Sequence, residues 1–172
     1  MQFASLFAAL WGTFGVVSLL GYSVYRLSQV AVTFIDYPAT IWHWAALIVW
    51  IIFMAYTEGY KGFQLAFAPR AAARLHWLSQ NPKPMLTLLA PLFAMGLIYA
   101  NHKRLFISYL IIIMVVCFVA IAETLLAPWR AIVDAGVVVG LLWGAIATLL
   151  SAIKVLILAA DRVDPELPNR AL

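Results

Sequence analysis

Long apolar segments separated by short polar connections dominate this sequence. Five such segments can be delimited, with the bounds 3–25, 41–57, 85–100, 105–122 and 129–160. A transmembrane helix needs about 20 consecutive apolar residues, and a segment in lipid must satisfy its backbone hydrogen bonds internally. The sequence therefore predicts an all-α integral membrane protein, a bundle of five hydrophobic helices that forms a single transmembrane domain over residues 1–172.

The overall composition agrees with this class. Hydrophobic residues make up 66% of the chain and charged residues 10%, whereas soluble domains have about 45–50% and about 25%. The formal net charge is +4, but no basic run is interleaved with aromatic residues, so nucleic acid is not an expected partner. The cations are instead typical of residues that orient a membrane protein and contact acidic lipid headgroups.

The third segment leaves the number of crossings open. Residues Met85 to Ala100 are near the lower length limit for a span and include Pro91. If all five segments cross, the eleven Lys and Arg residues divide six against five between the two sides. If the third segment is re-entrant, nine lie on the side of both termini, which the positive-inside rule assigns to the cytoplasm. The tight connection to the fourth segment favours a hairpin of two spans, so four or five full crossings are both retained.

A short interfacial helix is predicted near residues 70–78. Pro69 is expected to end the preceding helix and to start a new one. On that helix Arg70 and Arg74 share one face, while Leu75 and its apolar neighbours can enter the lipid surface.

The densest polar cluster follows the second segment. Glu58 and Lys61 are three residues apart, within pairing distance on an α-helix, and Gln64 extends the same polar stripe. Ionisable groups near a bilayer are costly, which favours a functional role. The alternative is that these residues only anchor the helix at the interface.

A second polar pair and a run of glycines lie in the fifth segment. Arg130 and Asp134 are four residues apart, which predicts either a local ion pair or a functional pair. Gly136, Gly140 and Gly144 recur every fourth residue, a spacing typical of close helix packing in membranes. This glycine zipper fits packing within one chain and homo-oligomerisation equally.

No pattern in the sequence specifies a metal or a cofactor. His43, His76 and His102 have no ligand spacing and are expected at the membrane interface, and the single Cys117 lies within an apolar run. No metal site is therefore predicted, and whether a pigment, haem or other cofactor is bound is left unspecified. No nucleophile elbow or phosphate-binding loop is present either, which favours a protein without catalytic activity.

Two runs resemble a known family. They extend from Glu58 to Gln64, followed by Pro69-Arg70, and from Pro128 to Gly140. Together they are similar to a family of small bacterial inner-membrane proteins, and the similarity extends over most of the chain. It implies a multi-pass location in the bacterial cytoplasmic membrane and brings no particular activity with it.

Three classes of function fit these patterns. In the first, the five polar residues converge and line a path for a proton, ion or small solute. In the second, the protein is a non-catalytic accessory or assembly subunit of a larger membrane complex, associated with pigment or lipid. In the third, it is a lipid-modifying enzyme in which Glu58 or Asp134 is the general base. The expected partners are membrane lipids together with a second copy or a larger complex.

Overall fold

The computed structural model describes residues 3–157 and 163–168, and the side chains of 6–156 and 163–168. Every regular element in this part of the chain is helical. The helices are α1 (Phe3–Ala31), α2 (Ile41–Met54), α3 (Ala68–Gln80), α4 (Pro84–Leu88), α5 (Ala90–Ala94), α6 (His102–Glu123) and α7 (Trp129–Ile157), with a short 3₁₀ turn at Val32–Phe34. A π-helical segment, Ala55–Phe67, joins α2 to α3.

Four of these helices are long and apolar enough to cross a bilayer. They are Leu6–Phe34, the continuous helix Ile41–Gln80, His102–Glu123 and Trp129–Leu156. We refer to Ile41–Gln80, which consists of α2, the π-helical segment and α3, as the long helix. A multi-pass membrane protein follows from these four helices.

The bundle is assembled around α7, which contacts α1 and all parts of the long helix. Phe34, just beyond α1, packs with Ala131 and Ile132 at the start of α7. Gly12 near the other end of α1 lies against Leu75 in α3. The end of α1 thus lies at the start of α7, and the beginning of α1 lies at the end of the long helix. Helix α1 is therefore antiparallel to both, and the long helix and α7 run parallel to each other.

The third predicted segment is not one continuous helix. It contains α4 and α5, each five residues long, with Leu89 between them outside helical geometry at φ −95° and ψ 23°. Pro91 lacks the N–H that would continue the hydrogen-bond ladder, and its ring would collide with the carbonyl group of Thr87 four residues earlier. The chain then turns through Gly96 at φ +73°. The expectation of five hydrophobic helices is thus not confirmed for this segment, and the four helices that are long enough to span agree with the four-crossing alternative.

The predicted interfacial helix near 70–78 is also not a separate element. The N–H of Ala68 donates to the carbonyl of Phe63, five residues earlier, and α3 continues from there without a break. Pro69 follows the π-helical segment directly and lies inside this continuous helix, so it neither ends one helix nor starts another. Leu75 and Leu78 are buried in the largest apolar cluster instead of facing lipid.

Candidate functional site

The three glycines of α7 all lie against the long helix. A Cβ atom added at Gly136 would collide with the indole of Trp50, and one at Gly144 would collide with the ring of Phe63. At Gly140 the added atom would lie 3.2 Å from both Cβ and Oε2 of Glu58. We call this contact between α7 and the long helix the glycine seam. Within the described chain it brings together two helices of the same molecule.

The π-helical segment explains why the predicted pairing of Glu58 with Lys61 is absent. A π-helix closes its hydrogen bonds over five residues instead of four, so residues three apart are rotated further from each other than on an α-helix. Glu58 turns toward Gly140, whereas Lys61 is exposed and lies 4.8 Å from the ring centre of Tyr56. Among the described residues Glu58 has no ion pair.

Gln64 reaches α7 at the next turn of the seam. The indole N–H of Trp143 donates to Oε1 of Gln64 over 2.8 Å. Both residues also line an open groove of about 420 Å³, which is otherwise mostly apolar and ends near Ser151 and Lys154. Gln64 is thus a contact between helices at the bundle surface and does not lie beside Lys61 in a shared path.

The ion pair predicted between Arg130 and Asp134 is present. Nε of Arg130 donates to Oδ2 of Asp134 over 2.9 Å, with 23% and 4% of the two side chains exposed. Asp134 precedes Gly140 by six residues, which is about 9 Å along the helix axis. The five polar residues therefore do not form one cluster. The ion pair, the contact with Glu58 and the contact with Gln64 follow one another along α7, and Lys61 contacts none of them.

A buried arginine that the sequence reasoning assigned to the surface organises the other end of the bundle. Arg74 is 2% exposed and its guanidinium lies 4.2 Å from the ring centre of Phe93. Its nitrogens donate to four backbone carbonyls, those of Phe93, Pro165, Ile98 and Tyr99, over 2.5–3.0 Å. These carbonyls belong to the end of α5, the following turn and the segment 163–168. Arg74 therefore joins three separate parts of the chain through their backbone carbonyls.

Arg104 and Glu166 complete this region, which we call the arginine junction and define by Arg70, Arg74, Arg104 and Glu166. Nε of Arg104 lies 3.5 Å from Oε2 of Glu166. The N–H of Asn101 donates to the carbonyl of Glu166, and the Asn101 side chain accepts from the N–H of Arg104 at the start of α6. The signal that could have revealed this region is the presence of two arginines next to small apolar residues, Ala71–Ala73, which permit close packing around a long side chain.

Helix α6 differs from every other long helix in its lack of contacts. All thirteen residues from Tyr109 to Ile121 are exposed, whereas Ser108 before them and Ala122 after them are buried. A helix packed on a neighbour buries a residue at every third or fourth position. Apart from the Tyr109 hydroxyl, which donates to the carbonyl of Leu97, α6 therefore stands clear of the bundle between its two ends. The exposed Cys117 lies in the middle of this stretch.

The described residues contain no group of three or more His, Cys, Asp or Glu side chains that could hold a metal ion. His43 contacts the rings of Tyr37 and Trp129, and His76 lies 3.0 Å from the Gln80 side-chain nitrogen. These contacts assign the two histidines to local packing.

Comparison with protein-family models, with curated proteins and with solved structures found no match. The resemblance to a family of small bacterial inner-membrane proteins thus stays a prediction.

Proposed function

We propose that this protein is a non-catalytic accessory or assembly subunit of a larger membrane complex, and that α6 contacts a transmembrane helix of the partner. The observation that carries the proposal is the stretch from Tyr109 to Ile121, exposed on all sides. Thirteen helical residues extend over about 20 Å, which is about two thirds of the hydrocarbon core.

The composition of α6 indicates the kind of contact. From Leu105 to Ala122 it contains no charged residue and is rich in Ile and Val. Apolar side chains gain nothing by leaving lipid, so association must come from van der Waals packing between interdigitating side chains. The glycine seam is not available to a partner, because the long helix of the same chain already fills it. This leaves α6 as the helix best suited to a partner.

Photo-crosslinking in intact cells tests this proposal. A benzophenone amino acid replaces Ile113, which is 59% exposed on α6, and in a matched control it replaces Val49, which is 67% exposed on α2. We expect a discrete protein adduct of one mass from position 113 and lipid adducts only from position 49. Lipid adducts alone at both positions would contradict the proposal. An adduct of twice the subunit mass would identify the partner as a second copy.

We also propose the orientation of the bundle in the bacterial cytoplasmic membrane. The arginine junction and both termini are assigned to the cytoplasm, since nine of the eleven cations then lie on that side. A fluorescent protein fused after Leu172 should mature and fluoresce, and a periplasmic reporter enzyme fused there should be inactive. The reverse result would invert the orientation.

Movement of a proton, ion or small solute is a second candidate, and Glu58 is the observation that favours it. Its carboxyl group lies half-buried between two helices without an ion pair in the described chain, and intramembrane carboxyl groups often bind the transported cation. Against this candidate, the five polar residues do not line a common path. The general-base role in a lipid-modifying enzyme has less support, because neither Glu58 nor Asp134 lines the groove.

A flux assay separates the second candidate from the first. Liposomes that hold the purified protein and a pH-sensitive dye are given a potassium diffusion potential with valinomycin, and proton entry is followed. Transport requires flux above that of protein-free liposomes, a large loss in Glu58→Gln, and normal flux in Lys61→Gln, the exposed control. Equal flux in protein-free and protein-containing liposomes removes this candidate.

A further inference from the structure

The three arginines of the arginine junction are bonded very unequally. Arg74 donates to four carbonyls and has little donor capacity left. Arg104 is 8% exposed in its side chain, and its guanidinium makes one charged contact in the described chain, with Glu166. At 3.5 Å this contact is longer than a hydrogen bond. Arg104 is thus a buried cation with most of its donors unused.

Arg70 precedes Arg74 by one helical turn and adds further unused donors. Its Nε atom is buried and has no hydrogen-bond partner among the described residues. The two terminal nitrogens of Arg70 also make no hydrogen bond with the described residues and, unlike Nε, are not buried, so they are the donors that a ligand can reach. A buried donor without a partner costs about 1–3 kcal/mol.

The charges in the junction do not balance either. Arg104 is close enough to both Arg70 and Arg74 for their positive charges to repel it, and Glu166 is the carboxylate that attracts it. Among the residues that the structure describes, three cations therefore share one anion, whose side chain is 33% exposed. A buried excess of positive charge is stable when a further anion compensates it.

We propose that Arg70 and Arg104 together bind a phosphate group. Guanidinium groups present several N–H donors in a plane and bind phosphate oxygens in pairs, which matches the unused donors of these two residues. Arg74 positions them by holding the surrounding turns, and Glu166 keeps Arg104 oriented toward the site. The phosphate belongs either to an anionic phospholipid headgroup or to a soluble phosphate compound. Basic pockets at the cytoplasmic ends of membrane helices bind such headgroups. This site is independent of the partner surface on α6.

Thermal unfolding of the full chain in lipid nanodiscs tests the site. One arm compares phosphatidylcholine nanodiscs with nanodiscs that also contain phosphatidylglycerol, and the other titrates inorganic phosphate into phosphatidylcholine nanodiscs. Stabilisation by phosphatidylglycerol alone identifies a lipid headgroup as the source, and stabilisation by inorganic phosphate identifies a soluble one. If neither raises the melting temperature, the proposal is overturned.

The variant Arg70→Gln distinguishes binding from a structural role. It should weaken the apparent affinity for the stabilising anion about tenfold, as loss of a charge-assisted hydrogen bond predicts. Without the anion it should leave the melting temperature unchanged or raise it, because a repulsive charge and an orphan donor are removed. The control Lys154→Gln, an exposed cation near the end of α7, should keep the wild-type affinity. An equal loss of affinity in Arg70→Gln and Lys154→Gln would mean that the anion responds to surface charge in general, and it would overturn the site. Wild-type affinity in Arg70→Gln would overturn it as well.

Discussion

Helices α6 and α7 are both long enough to cross a bilayer, yet they are packed in opposite ways. The most apolar 18-residue window of α6 has a mean hydropathy of 3.0, and 11% of that window is buried inside the bundle. The corresponding window of α7 has a mean hydropathy of 2.1, and 33% of it is buried. In water the more apolar helix would be the more buried one. Here the order is reversed, because lipid solvates apolar side chains as well as another helix does.

The difference in packing follows from the residues that each helix offers. Helix α7 has glycines that leave room for Trp50, Glu58 and Phe63 of the long helix. Its buried aspartate, Asp134, is paired with Arg130, so the charge is compensated. The middle of α6 has bulky branched side chains and no charge. Small residues and satisfied polar groups, more than hydrophobicity, therefore determine which helices this bundle holds together.

Breaking the ion pair of α7 should have the largest effect on stability. In Arg130→Met the carboxylate of Asp134, 4% exposed, loses its charge partner, and we expect a loss of about 3 kcal/mol. The double variant Arg130→Met with Asp134→Leu should recover most of it. Unfolding in mixed detergent micelles measures both, with the exposed Lys61→Met as a control that should change the free energy by less than about 0.5 kcal/mol. If the effect of the double variant equals the sum of the effects of Arg130→Met and Asp134→Leu measured alone, the two groups act independently.

Filling the glycine seam should have the next largest effect. In Gly140→Leu the new side chain meets Glu58, since the added Cβ alone would lie 3.2 Å from two of its atoms, and we expect a loss of about 1–3 kcal/mol. Gly21 has open space around its added Cβ, so Gly21→Leu should be neutral or stabilising by up to about 1 kcal/mol through helix propensity.

Light scattering tells the two origins of this effect apart. The molar mass of the Gly140→Leu protein particle, without its detergent, should equal that of the wild type, since the seam packs within one chain. Dissociation of an oligomer into folded monomers would instead assign the seam to a subunit interface.

The hydrogen bond across the seam should contribute less. Trp143→Phe removes the donor to Gln64, and polar contacts between membrane helices contribute about 0.6 kcal/mol on average. Trp42→Phe changes an indole that is 78% exposed at the start of α2 and serves as the matched control. A loss equal to that of the control would mean that the hydrogen bond contributes nothing.

Local patterns in the sequence predicted the features that depend on local geometry. The spanning segments follow from hydropathy, and the pair of Arg130 with Asp134 follows from a spacing of four residues on an ordinary α-helix. The same reasoning failed for Glu58 and Lys61, because it assumed α-helical geometry where the chain is π-helical. It also failed at Pro69, since the helix continues through this proline directly after the π-helical segment.

The arginine junction depends on contacts between residues far apart in the sequence. Arg74 is satisfied in its buried position because four backbone carbonyls, those of Phe93, Ile98, Tyr99 and Pro165, converge on its guanidinium. No spacing within 70–78 carries that information. A prediction from the local segment alone therefore assigns this arginine to the surface.

Truncation in the middle of α6 should have the smallest effect on the isolated protein, and it addresses the comparison of the two helices most directly. Ile113 is 59% exposed, so Ile113→Ala removes few contacts and should change the free energy of unfolding by less than about 0.5 kcal/mol. The same truncation in α7 at Ile132, which is 4% exposed, should cost about 2 kcal/mol or more because it leaves a cavity. If Ile113→Ala destabilises the purified monomer as much as Ile132→Ala does, α6 packs on its own bundle. If Ile113→Ala is silent in the purified protein but shortens the lifetime of the protein in cells, the residue has a partner there that purification removes.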